Sequence, residues 1–162
     1  MELIAADAEE MRAVGRQLAE HVCAGDLIML SGPLGAGKTT FVQGLADGLG
    51  VRGRVTSPTF VISHIHRGEP DLVHVDAYRL DSLDDVDSLD LDASLDESVT
   101  VVEWGRGKTD GLSDDRVEID IARPVGSEPG ESPDDLFMEA PRTLSLRSTG
   151  PRSASIIEAL RR

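Results

Sequence analysis

Gly32-Pro33-Leu34-Gly35-Ala36-Gly37-Lys38-Thr39-Thr40 brings glycines, a lysine and two hydroxyls together at the spacing G-x-x-x-x-G-K-S/T. Glycines so placed let successive backbone N–H groups turn inward as an anion nest, and the helix that follows points its positive end at the same spot. The chemistry on offer is capture of a polyphosphate. Gly32, Gly35, Ala36, Gly37 and Thr40 would form the cradle, Lys38 would reach the β/γ phosphates, and Thr39 would place its hydroxyl on Mg²⁺. The alternative is a flexible glycine turn carrying an exposed lysine. Lysine usage argues against it: of 16 basic residues only Lys38 and Lys108 are lysine. Lys38 therefore marks a place where a compact ammonium fits and a planar guanidinium does not.

Such a loop needs a carboxylate from a neighbouring strand to hold or orient the metal. LVHVD ends at Asp76 and VTVVE ends at Glu103, each an apolar run delivering one acid at its C-terminal edge, where open α/β sheets bind ligands. Either acid could instead cap a helix or pair with Arg79 or Arg106. VTSPTF, residues 55–60, offers Thr59 and neighbouring hydroxyls around a proline, as a switch loop sensing a γ-phosphate or as an ordinary polar loop. His64, His66 and His74 could meet on facing strands and imitate a zinc site, or be plain sheet histidines. Trp104 follows Glu103 and either packs in the core or meets nucleotide or partner from the rim.

The elements that must position these groups follow from periodicity. Glu2 to Ala5 reads as a strand, and Asp7 to about Ala24 as a helix with Met11, Val14, Leu18 and Val22 on one stripe and an Asp7/Glu10 capping box. Leu27 to Leu30 is an uninterrupted apolar run of the kind covered on both faces, and helix resumes from Thr39 to near Gly48. Strand, glycine loop and helix thus occur in the order a phosphate-binding unit requires. Further strands are expected in Val55 to Ile65, Asp71 to Val75, Val99 to Val102, Arg116 to Ala122 and Arg142 to Arg147, with a last helix from Pro151 to Leu160. Residues 81–97 hold eight acids and no base, yet Leu83, Val86 and Leu89 recur every third residue, which favours an acidic amphipathic helix. Those acids lack the glycine and terminal glutamate of an EF-hand loop. Residues 124–141, rich in Pro, Gly, Ser and acid, read as a long hairpin insertion. Strands alternating with helices imply an α/β fold in one domain spanning 1–162.

A net charge of −14 argues against direct tRNA or other nucleic-acid binding by this chain, so any RNA is expected to come through a basic partner. Cys23, the sole cysteine, rules out an internal disulfide and reads as a small buried residue on the first helix. No stretch approaches the ~20 apolar residues of a membrane span, and a cytoplasmic location is expected.

Taken in order, GPLGAGKTTF, TSPTF, HVDAYRL and VEWG make the sequence resemble the TsaE family, the P-loop ATPase component of bacterial tRNA threonylcarbamoyladenosine (t6A) synthesis. The resemblance spans residues 3 to about 122. It implies a P-loop NTPase-like, mainly parallel sheet flanked by helices with a C-terminal antiparallel hairpin, ATP or ADP with Mg²⁺ as ligands, and protein partners of the TsaB and TsaD type. Carried over by position, Lys38 meets phosphate, Thr39 and Glu103 serve the magnesium, Asp76 matches an aspartate important for hydrolysis, Thr59 lies in the switch-like segment, and Trp104 matches the tryptophan after the glutamate. Two departures stand out. Pro33 replaces an acid, removing one N–H from the loop, and Gly105-Arg106 stands where proline and a glutamate or glutamine are common. Beside an ATPase that is weak without its partners, two other activities suit the residues: a non-catalytic nucleotide-dependent scaffold, and a small-molecule P-loop kinase. The kinase is disfavoured because the 124–141 insertion carries no arginine or lysine for a lid.

Overall fold

The structure is a computed structural model that describes residues 1–56, 63–78, 91–107, 109–124 and 140–161. Seven strands form one sheet: β1 (Glu2–Ala5), β2 (Leu27–Ser31), β3 (Ser63–His66), β4 (Asp71–Asp76), β5 (Ser98–Glu103), β6 (Arg116–Ala122) and β7 (Arg142–Ser148), in the order β1-β7-β6-β2-β5-β4-β3. The four central strands, β6, β2, β5 and β4, run parallel, while β1, β7 and β3 join antiparallel at the two margins. The expected mainly parallel sheet is therefore its centre, and the expected C-terminal hairpin is β6 with β7.

The helices are α1 (Ala8–Ala19), α2 (Lys38–Gly48), α3 (Leu91–Leu95) and α4 (Pro151–Ala159). β2 is a nearly continuous apolar run and β5 is buried along its whole length because both of their faces are covered. Ile28, Leu30, Val99 and Val101 pack under α1 and α2, while Leu27, Met29 and Val102 pack with Leu91 of α3 on the other side. In β6 and β7 the pattern alternates. Val117, Ile119, Ile121, Leu144 and Leu146 are buried, and the opposite face carries a lattice in which Arg106 and Arg147 both reach Asp120, at 3.0 and 3.1 Å.

Asp7 caps α1 as expected: its Oδ1 accepts the Glu10 amide at 2.8 Å, and Glu10 returns a carboxylate oxygen to the Ala6 amide. The helix stops near Glu20 rather than Ala24. This overturns the expected setting of Cys23, which is exposed in the turn beyond the helix, its amide donating to Asp26 Oδ2 at 2.8 Å. The Asp26 carboxylate draws residues 23–26 into that turn before β2 begins.

α1 and α2 approach closely because glycine lies between them. A Cβ on Gly44 would stand 2.1 Å from the Arg12 carbonyl oxygen, and one on Gly15 would stand 2.4 Å from that of Phe41. No helix among the described residues is long and apolar enough to cross a membrane. Thr59, residues 125–139 of the expected insertion and residues 81–90 of the expected acidic helix lie outside the described residues.

Candidate phosphate-binding site

β2 lies between β5 and β6, and the chain leaves its C-terminal end directly into the glycine loop. Gly32 must pass the end of β6, where a Cβ would stand 2.5 Å from the Ile121 carbonyl oxygen. The loop closes on itself through the Ala36 amide, which donates to the Pro33 carbonyl at 3.1 Å. Gly37 then caps α2 in the left-handed region, φ 104°, with no side-chain oxygen on the first amides of the helix. An α-helix N-terminus so finished carries partial positive charge and orphan donors, which suits an anion.

Lys38 is only 6 % exposed. Its Nζ donates to the Gly32 carbonyl at 2.9 Å and the Pro33 carbonyl at 3.1 Å, and lies 4.3 Å from the centre of the Trp104 ring. Burial pushes the Lys38 ammonium below the usual lysine range, and the carboxylates of Glu103 and Asp76 work against that shift. Thr39 is half-buried and Thr40 buried in the first turn of α2.

Asp76 and Glu103 are in-register partners on the parallel pair β4 and β5, so two strand ends deliver their acids side by side. Of the arginines considered as their partners, Arg79 lies outside the described residues and Arg106 binds another acid. Asp76 Oδ1 accepts the Tyr78 amide at 2.9 Å, an Asx turn, and Arg106 binds Asp120. Glu103 is buried, and its Oε1 lies 2.8 Å from His74 Nε2. This pairing bears on the zinc alternative: His74 is engaged with Glu103, and among the described residues no three His, Cys, Asp or Glu converge to hold an ion.

Trp104 sits at the rim rather than in the core, its ring tilted against Tyr78 at 5.4 Å between centroids. Its backbone is left-handed, φ 62°, although it is neither glycine nor asparagine. That conformation is costly for a bulky residue and is held by the Trp104 amide, which donates to the Leu30 carbonyl at 2.9 Å. The kink turns the indole back over Lys38. Gly105 follows where a Cβ would stand 2.4 Å from Thr109 Oγ1, so a proline or any larger residue would collide there.

Site and sheet together match one family. A family model described as "Threonylcarbamoyl adenosine biosynthesis protein TsaE" covers residues 5–128. The chain belongs to the TsaE family. A Streptomyces coelicolor protein named tRNA threonylcarbamoyladenosine biosynthesis protein TsaE is 60% identical over 120 residues, covering 72% of this chain and 81% of that one. The Bacillus subtilis protein of the same name is 39% identical over 117 residues, covering 71% and 73%. The crystal structure of YdiB from B. subtilis superposes with a TM-score of 0.76 at 29% identity, covering 99% of this chain and 93% of that one. The TsaE match runs through the phosphate loop, Asp76, Glu103 and Trp104, and stops in the segment after β6.

Sequence reasoning missed two parts of this TsaE site. One is the His74–Glu103 pair, whose only trace in the sequence is that His74 precedes Asp76 by two and so shares its face of β4. The other is the stacking of Trp104 on Lys38, which depends on a left-handed residue that no motif announces.

Proposed function

We propose that this chain is a Mg²⁺-dependent ATPase that turns over slowly alone and supports t6A synthesis in a complex with partner subunits of the TsaB and TsaD type. One observation carries the reading: the uncapped start of α2 and the buried Lys38 stand opposite two in-register acids at the ends of β4 and β5. The amides of residues 35–39 cradle the β and γ phosphates, and Lys38 gives up its carbonyl contacts to bind them. Thr39 and Glu103 hold the cation, and Asp76, half-buried at the sheet edge, orients the attacking water. Bound Mg²⁺ supplies neutralisation of charge on the phosphate oxygens. Trp104 closes one wall and excludes water from the ammonium. The acidic surface leaves tRNA to the partner subunits.

The test is ATP turnover by the chain as partner subunits are titrated in, with Lys38→Ala as control. Turnover that rises with partner and vanishes in the variant is the expected result. A rate that is fast alone and indifferent to the partners would overturn it. Asp76→Ala separates hydrolysis from scaffolding: modification should be lost while partner binding persists.

A further inference from the structure

His74 takes no part in the mechanism above, yet it is fully buried. On β4, Leu72, His74 and Asp76 share one face; Leu72 belongs to the core beneath α1 and α2, whereas Val73 and Val75 pack on the opposite side. A polar ring in such a place costs free energy unless a hydrogen bond compensates. Its in-register neighbour on β5 is Val101, so the ring reaches diagonally along the sheet to Glu103, where Nε2 meets Oε1 at 2.8 Å. Among the described residues Nδ1 has no hydrogen-bond partner. A carboxylate that binds a cation is ionised and only accepts, so in the Mg²⁺ site proposed above the hydrogen shared with Glu103 belongs to Nε2. Glu103 Oε1 is thereby tied into the interior, and among the described residues no hydrogen bond is made to the carboxylate's other oxygen.

We infer that His74 is a positioning residue for the cation: its Nε2–H fixes one oxygen of Glu103 so that the other faces Mg²⁺ at the mouth of the phosphate loop. This rests on the Mg²⁺–nucleotide reading of the site. Hydrogen-bond partners of metal-ligating side chains fix ligand orientation, and their loss costs on the order of 10–100-fold in metal affinity.

The experiment measures cation binding rather than turnover. Mn²⁺ is titrated by electron paramagnetic resonance into the full chain with ADP present, and ADP affinity is measured separately in EDTA. His74→Phe, which keeps a ring and removes the donor, should weaken Mn²⁺ binding about tenfold or more with ADP affinity in EDTA unchanged. His74→Gln, whose amide can present an N–H in the same direction, should recover most of the loss. Unchanged Mn²⁺ affinity in His74→Phe, or equal loss in both variants, would overturn the inference. If circular dichroism shows that the variants do not fold, the ¹⁵N–H resonance of His74 in the parent decides. A shift when Mg²⁺ joins the ADP complex supports the role, and no shift overturns it. Parent and Glu103→Gln are measured alongside. A parent that binds no nucleotide, or a Glu103→Gln that binds Mn²⁺ normally, sinks the site reading and this inference with it. A normal parent and a weakened Glu103→Gln beside an indifferent His74→Phe sink only the role of His74.

Discussion

α2 and α4 both begin at a glycine, Gly37 and Gly150, and so neither cap residue has a side chain to offer its first amides. At α4 the need is met from elsewhere in the fold: the Asp115 carboxylate accepts the amides of Arg152 at 2.7 Å and Ser153 at 2.8 Å. Arg152 in turn forks onto the buried Asp26, at 3.0 and 2.7 Å. At α2 no carboxylate arrives from the described residues. Lys38 lies there instead, held by loop carbonyls and an indole, and the acids Asp76 and Glu103 stand off on neighbouring strands. One helix start is completed by the protein and exists for stability. The other has no such partner among the described residues, which suits the anion proposed above, and its buried charge is a cost that the fold must carry.

Breaking the open end should have the largest effect. Lys38→Met removes the ammonium while keeping the stem, and the loss of charge-assisted contacts worth about 2–3 kcal/mol lowers ATP·Mg²⁺ affinity about 100-fold by calorimetry. Because a buried charge is relieved, the same variant should melt no lower than the parent. Gly44→Ala tests whether α2 is anchored by its body against α1 rather than by its start. The added methyl meets the Arg12 backbone, and urea unfolding should show a loss of about 1–3 kcal/mol.

Asp115→Ala should do the converse of Lys38→Met, costing about 1–2 kcal/mol of stability with nucleotide affinity intact. Acid titration sharpens this. Although burial opposes its charge, hydrogen bonds from Ser153 and Arg152 hold Asp115 below the usual carboxylate range. Its contribution is complete above that range and is lost as pH falls through the lower folded value. The variant's acid-unfolding curve should lack that component.

The smallest effect concerns Lys38 at alkaline pH. With its folded value lowered by burial, the unfolded chain binds more protons between that value and the ordinary lysine value, so stability rises with pH in this window. Urea midpoints of parent and Lys38→Met should converge there. A gap that stays constant across the window would mean that burial does not burden Lys38.

Much of this was legible beforehand where local chemistry decides. The strand expected from Arg116 to Ala122 is β6, and the Leu27–Leu30 run is a strand covered on both faces. α1 is shorter than its periodicity predicts because apolar spacing continues through Val22, which is buried but lies beyond the helix end. Periodicity reports burial there, not hydrogen bonding. Asp76 and Glu103 were recognised separately as strand-end acids, yet nothing local states that they stand opposite each other.

The sequence by itself determined the strand, glycine loop and helix that follow one another from Leu27 to Gly48, since glycine spacing, the lone early lysine and the two threonines act through neighbours along the chain. It also determined β2 at the sheet's centre, because burial on both faces writes itself there as an unbroken apolar run. Only the tertiary structure decided which carboxylates are committed and which are left free. Asp115 is spent on α4, and Glu103 is tied by one oxygen to His74. Those choices depend on strand register and on contacts between residues far apart in the chain, and a carboxylate looks the same in sequence whether its partner is an amide, an imidazole or an ion still to arrive.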